Sequence, residues 1–202
     1  FASDGDLGSI SYPAWDGITP RRAVISDFFE HLRNALPGAR ISGDMFGLAT
    51  VNADDLGIGQ TIEDGYASFD YVSPMVYPSH YAAGFLGYAN PAKFPYEVVK
   101  YSMEKALARL RTMTIDYDNN NNSSTAPAAS SSLVIRHRFP RAKLRPWLQD
   151  FSLGAVYNAE MVRGQITAVS ETLQNASGTD AFAGWLLWNP GNNYTEGALR
   201  PE

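Results

Sequence analysis

Tyr71-Val-Ser-Pro-Met-Val-Tyr77-Pro-Ser-His80-Tyr81 is the stretch on which the reading of the fold turns. Its first half is mostly apolar and reads as a buried strand. Its second half is aromatic, imidazole and hydroxyl, so one end is packed and the other is a surface. Antiparallel core strands usually end instead in Gly, Asn or Asp turns. Polar aromatics at the C-terminal end of a strand are what an α/β barrel or an open α/β sheet uses to line a site.

The same grammar extends in both directions. Residues 1–19 lack periodicity and read as a loop, and Thr19-Pro20 predicts a helix start, with Thr19 as N-cap and Pro20 at the first helical position. Val24, Ile25, Phe28, Phe29, Leu32, Ala35 and Leu36 recur at helical spacing as a stripe predicted to be buried, and Pro37-Gly38 stops it. Arg40–Leu48 reads as a strand and Thr61–Ala67 as a short helix. After Tyr71–Tyr77, the spacing predicts a helix over Tyr96–Met113, with Val99, Met103, Ala106, Leu107 and Leu110 inward. Leu144–Phe151 follows as a strand, Ala159–Leu173 as a helix and Phe182–Pro190 as a last strand. Helices alternating with short apolar strands predict a parallel α/β sheet joined by helical crossovers, covered on both sides. Residues 118–132 are low in complexity, and their composition predicts a mobile insertion.

With 202 residues and 45% hydrophobic content, the chain can build one domain with a real core. A net charge of -5 and the lack of a basic stripe argue against nucleic acid as a partner. No apolar run approaches the roughly 20 residues of a membrane span. Zero cysteines exclude disulfides, thiolate metal sites and a cysteine nucleophile. Isolated histidines give a metal site no support, and neither a phosphate-binding Gly loop nor a Gly-x-Ser-x-Gly elbow occurs, so no cofactor is expected. The 4 Trp and 11 Tyr suit flat, partly polar ligands such as sugars, and equally an ordinary core.

Four strand-end motifs stand out: ISGDMFG (41–47), FDYVSPMVYPSHY (69–81), LRPWLQDF (144–151) and GWLLWNPGNNY (184–194). Together they resemble the C-terminal part of a bacterial glycoside-hydrolase-like family, a domain of unknown function with a TIM-barrel fold, distantly related to chitinase- and amylase-like barrels. The opening FASDGD resembles the end of that family's fourth strand, with Ala2 where the family usually has Pro. The resemblance implies that residues 1–202 form the C-terminal half of a (β/α)8 TIM barrel. It implies an N-terminal half-barrel upstream, or a partner covering the open side. It also implies a carbohydrate substrate and an extracellular or cell-envelope location. A half-barrel exposes two sheet edges and an inner face, which isolated proteins avoid.

Glycoside hydrolysis needs two carboxyl groups across the scissile bond, with aromatic platforms and hydrogen-bonding groups around them. Strand parity groups Asp44 with Ser42 and Phe46, Tyr77 with Ser73 and Met75, Gln149 with Arg145 and Trp147, and Trp188 with Gly184 and Leu186. Asp44, Tyr77, Gln149 and Trp188 are therefore expected at one mouth. Asp44 is the catalytic candidate on a strand, because a charge there is costly unless it is paired or functional; the alternative is a salt bridge or loop cap. By the resemblance, Asp4 is the second catalytic candidate and Asp6 a substrate contact, against the plainer reading of two solvated turn aspartates. Tyr77, His80, Tyr81, Trp147, Gln149, Trp188 and Asn189 are the candidate substrate-binding residues, with core packing or loop structure as alternatives. Asp150 reads as a cap or ion-pair residue. The leading expectation is a glycosidase acting on a poly- or oligosaccharide. The alternatives are a non-catalytic carbohydrate-binding barrel and a structural module whose Tyr-rich loops face another protein.

Overall fold

The computed structural model describes residues 16–122, 142–176 and 180–199. Within them the chain alternates helix and strand: α1 (Arg21–Ala35), β1 (Ser42–Phe46), α2 (Ile62–Ser68), β2 (Tyr71–Val76), α3 (Pro95–Asn122), β3 (Lys143–Leu144), β4 (Trp147–Gln149), α4 (Ala159–Val169) and β5 (Leu186–Trp188). Every pairing is parallel, and the strand order β1-β2-β4-β5 never reverses, with β3 also on β2. Parallel crossovers are right-handed, so an order that advances in one direction sends all its helices to the same side of the sheet. A doubly wound sheet would reverse at a switch point and carry helices on both faces.

The registers assign the faces. Asp44 pairs with Ser73 and Phe46 with Met75, Met75 with Trp147, Trp147 with Leu186, and Gln149 with Trp188. Side chains in register on neighbouring parallel strands share a face, so these residues form one surface. The opposite face carries Met45, Val72, Val76, Leu144 and Leu148, all 0% exposed, packed with the helices in the main core. Val98, Val99, Met103, Ala106, Leu107 and Leu110 of α3 and Val162, Ala168 and Val169 of α4 are buried. The expected cover on both faces is not met among the described residues: the helix-free face leaves Ser42, Asp44 and Trp188 exposed.

The strand predicted over Leu144–Phe151 is two short pieces, and proline chemistry explains the gap. Val72 pairs with Leu144 and Met75 with Trp147, and this register places Pro74 opposite Pro146. Neither can donate a backbone N–H, so the ladder lapses there. It is kept on the other side, where Leu186 N–H donates to Pro146 O at 2.9 Å. The predicted Arg40–Leu48 strand ends at Phe46, and Gly47–Thr50 turns as a 3-10 helix. The predicted mobile insertion starts inside α3, which extends to Asn122; residues 123–132 lie outside the described residues.

α1 departs furthest from expectation. Its N-cap is Pro20 rather than Thr19, because the Thr19 hydroxyl and the Ile18 and Thr19 N–H groups all go to Asp16. These bonds hold the Asp16 carboxyl down at about 2. The predicted stripe is not buried: Val24, Phe28 and Leu36 are 49%, 52% and 47% exposed, while Phe29 reaches the core by packing on Phe69 at 4.6 Å. Arginines complete the attachment. Arg22 makes a two-pronged contact with buried Asp64 (2.9 and 3.1 Å), and Arg33 binds Ser68 O and Asp70 (2.7 and 2.6 Å).

Gly47 is where β1 hands over to its turn, and only glycine fits. A Cβ there would come within 2.4 Å of the Met75 carbonyl oxygen on β2, a backbone atom that cannot step aside. Gly47→Ala is expected to lower unfolding free energy by about 1–3 kcal/mol, as other overpacking substitutions do, measured by urea denaturation. A midpoint equal to wild type would show that the β1–β2 junction has slack.

Candidate functional site

The helix-free face gathers an acid and several aromatic rings toward the C-terminal ends of its strands. Asp44 is exposed on β1. The Trp147 indole Nε1–H, from β4, donates to Asp44 Oδ1 at 3.0 Å. Trp147 in turn meets Trp188 of β5 edge to face, at 6.1 Å and 87°, and Trp188 is 42% exposed. Asp44 and Trp188, from opposite edges of the sheet, are thus joined through one indole. Neither the salt bridge nor the loop cap considered for Asp44 is formed among the described residues; its partner is a neutral donor.

Tyr77 follows β2 and is buried, at 7% exposed. Burial pushes its hydroxyl well above the usual tyrosine value, and the nearby Asp44 charge adds to the shift. The phenol therefore stays protonated and able to donate. His80 meets Tyr77 at 5.3 Å and 88°, and Phe151 meets Tyr77 at 5.6 Å and 74°. Phe151, not expected as part of the site, extends the parity of Arg145, Trp147 and Gln149 by one step. The His80 ring stays partly open to solvent, and burial pushes its imidazole below the usual 6.5.

Other expected contacts are spent on structure. Gln149 is 0% exposed; its Oε1 accepts from Ser79 N–H and Oγ–H at 3.1 and 2.9 Å, and its Nε2 donates to Phe151 O at 2.9 Å. It holds the loop after β2 and is closed off from solvent. Asn189 donates to Asp150 O and Asn193 O and accepts from Gly191 N–H, which folds its own loop. Tyr81 points into the helix layer, 5% exposed, with its hydroxyl 3.0 Å from Ser102 Oγ on α3. All three make structural contacts here. Asp4 and Asp6 lie outside the described residues.

Asp150 shows the cap role expected for it, though for a loop instead of a helix. Its two oxygens accept from Thr195 N–H at 2.8 Å and Thr195 Oγ–H at 2.6 Å, and it is 2% exposed. Beside it Gln165 of α4 exchanges two hydrogen bonds with the Gln149 backbone, at 3.0 and 2.8 Å. The end of β4 therefore fixes the loops on both sides of it. Sequence spacing gave no sign of these ties, since each joins residues 16 to 70 positions apart. Arg145, also on the helix-free face, lies over the Tyr71 ring at 4.5 Å. Among the described residues no group of three or more His, Asp or Glu gathers as metal ligands would, and no helix is long and apolar enough to cross a membrane.

Two outcomes are expected from this geometry. The His80 ring protons should titrate with a midpoint below 6.5, and Phe151→Ala should move it back up, as NMR would record. Because the fold favours the neutral ring, its contribution to stability is complete above about 6.5 and is lost as pH falls through the folded-state value. Separately, Asp150→Ala should cost about 1–3 kcal/mol through the orphaned Thr195 donors and should raise amide exchange across 189–196. Unchanged exchange would mean that Asp150 does not hold that loop.

A family model described as "Putative glycosyl hydrolase domain" matches residues 1–194. No curated protein and no solved structure gives a significant match.

Proposed function

The chain belongs to this glycosyl hydrolase domain family, and we propose that it binds and cleaves a poly- or oligosaccharide at the Asp44–Trp147–Trp188 face. The observation that carries the reading is the Asp44 carboxylate, open to solvent yet oriented by the Trp147 indole at 3.0 Å. A carboxylate with one oxygen fixed and the other free can act as nucleophile or base toward an anomeric carbon, or protonate a leaving oxygen. Trp188 supplies a flat apolar face for a sugar ring, and Tyr77 and His80, beyond the end of β2, supply hydrogen-bonding groups on the same side. Asp4, outside the described residues, is the candidate for the second carboxyl on the strength of the family resemblance, with Asp6 as a further contact.

The one-directional sheet supports reading residues 1–202 as one half of a (β/α)8 barrel. On that reading the helix-free face is barrel interior and the mouth lies at the C-terminal strand ends, where barrel enzymes work. The other half would come from the same polypeptide or from a partner.

A second reading is favoured by one specific observation. Asp150, the other carboxylate at the described strand ends, has both oxygens occupied by Thr195. A mouth left with Asp44 alone would bind sugar without cleaving it. Asp44→Asn in the full polypeptide decides between them. Cleavage predicts that sugar release falls by about 10²-fold or more while the variant keeps its thermal transition. Wild-type protein that binds oligosaccharide by Trp fluorescence but releases no reducing ends supports the binder.

A further inference from the structure

The groups around Asp44 carry information about the charge of the ligand. Asp44 receives a neutral donor, Trp147 Nε1–H, and among the described residues it has no cationic partner. Its surroundings on the open face are aromatic: Trp147 and Trp188 face each other at 87°, and Tyr77 is close enough to feel the Asp44 charge. The cations on the same face are turned elsewhere. Arg145 lies on the Tyr71 ring, at the opposite end of β2 from Tyr77. Lys143 is paired with Asp180 at 2.5 Å. The strand-end region thus combines a negative charge with aromatic faces, and among the described residues no cation neutralises it.

Two forces make such a place selective for positive charge. A carboxylate attracts an ammonium directly, and an indole face attracts it through the ring quadrupole. A neutral sugar has the ring stacking and hydrogen bonds but gains nothing from the charge. We propose that the saccharide recognised at Asp44, Trp147 and Trp188 carries a free ammonium group, which makes it an amino sugar that is not N-acetylated. The inference rests on the reading of this face as a saccharide site. It adds the chemical class of the sugar.

The test titrates the protein with tetrasaccharides of glucosamine, N-acetylglucosamine and glucose, followed by Trp fluorescence at low ionic strength and at about 0.5 M salt. The expected result is binding of the glucosamine tetramer about tenfold tighter than either neutral one at low salt, about 1.4 kcal/mol. The preference should shrink to within about twofold at high salt, because screening at that strength acts over only a few ångströms. In Asp44→Asn the preference for the glucosamine tetramer over the neutral ones should disappear. The salt comparison needs no variant, so it decides even if the substitution unfolds the chain. Equal or tighter binding of the neutral tetramers would overturn the ammonium inference and leave the saccharide site standing. No binding of any of the three would overturn both.

Discussion

The parallel pairing of β2 with strands on both sides is the constraint on which the rest of the structure depends. β2 pairs with β1 on one flank and with β3 and β4 on the other, all in the same direction. With the handedness of crossovers fixed, that arrangement puts every helix behind the sheet. The residues at 45, 72, 76, 144 and 148 then have to be apolar, and those at 44, 147 and 188 are released from packing duty. A single register step in β1 would carry Asp44 to the packed face and Met45 to the open one. The chemistry of the open face is thus a consequence of how the back face packs.

The second layer of control lies at the end of β4. Gln149 and Asp150 are adjacent, buried and polar, and they point opposite ways. Gln149 captures Ser79 from the loop after β2, while Asp150 captures Thr195 from the loop after β5. Gln165 on α4 clamps the backbone between them. Buried polar groups are costly unless they are satisfied, and here each one is satisfied by the loop it restrains. Such loops would otherwise be the mobile part of an α/β rim. In this chain those beside Tyr77 and Trp188 are tied to the end of β4.

Much of this was legible in the sequence, for reasons that differ by residue. The alternation of elements and the parity that groups Asp44, Tyr77, Gln149 and Trp188 come from periods of 3.6 and 2, which are local and need no tertiary knowledge. The errors fell where a competing partner, local at Thr19 and tertiary elsewhere, displaced the expected contact. Thr19 has an N-cap's chemistry, but Asp16 claimed its hydroxyl. The α1 stripe has a core helix's spacing, yet Arg22 and Arg33 supply much of its attachment. Gln149 shares the parity of Trp147 but is consumed by Ser79, a partner 70 residues away. Parity tells which face a side chain occupies; it cannot tell whether its lone pairs are already taken.

That last distinction separates the two aspartates near the strand ends. Asp150 has buried oxygens and two donors from one threonine, so it has no capacity left for a ligand. Among the described residues Asp44 has one neutral donor, on one oxygen, and it is otherwise exposed. An indole N–H can orient a carboxylate without cancelling its charge, which an arginine would do. Because the same indole abuts Trp188, the direction of the acid and the position of the aromatic platform are set together. On the proposed saccharide reading, a ligand that stacked on Trp188 would meet a carboxylate already aimed, with the ordering cost of bringing the two together met when the chain folds.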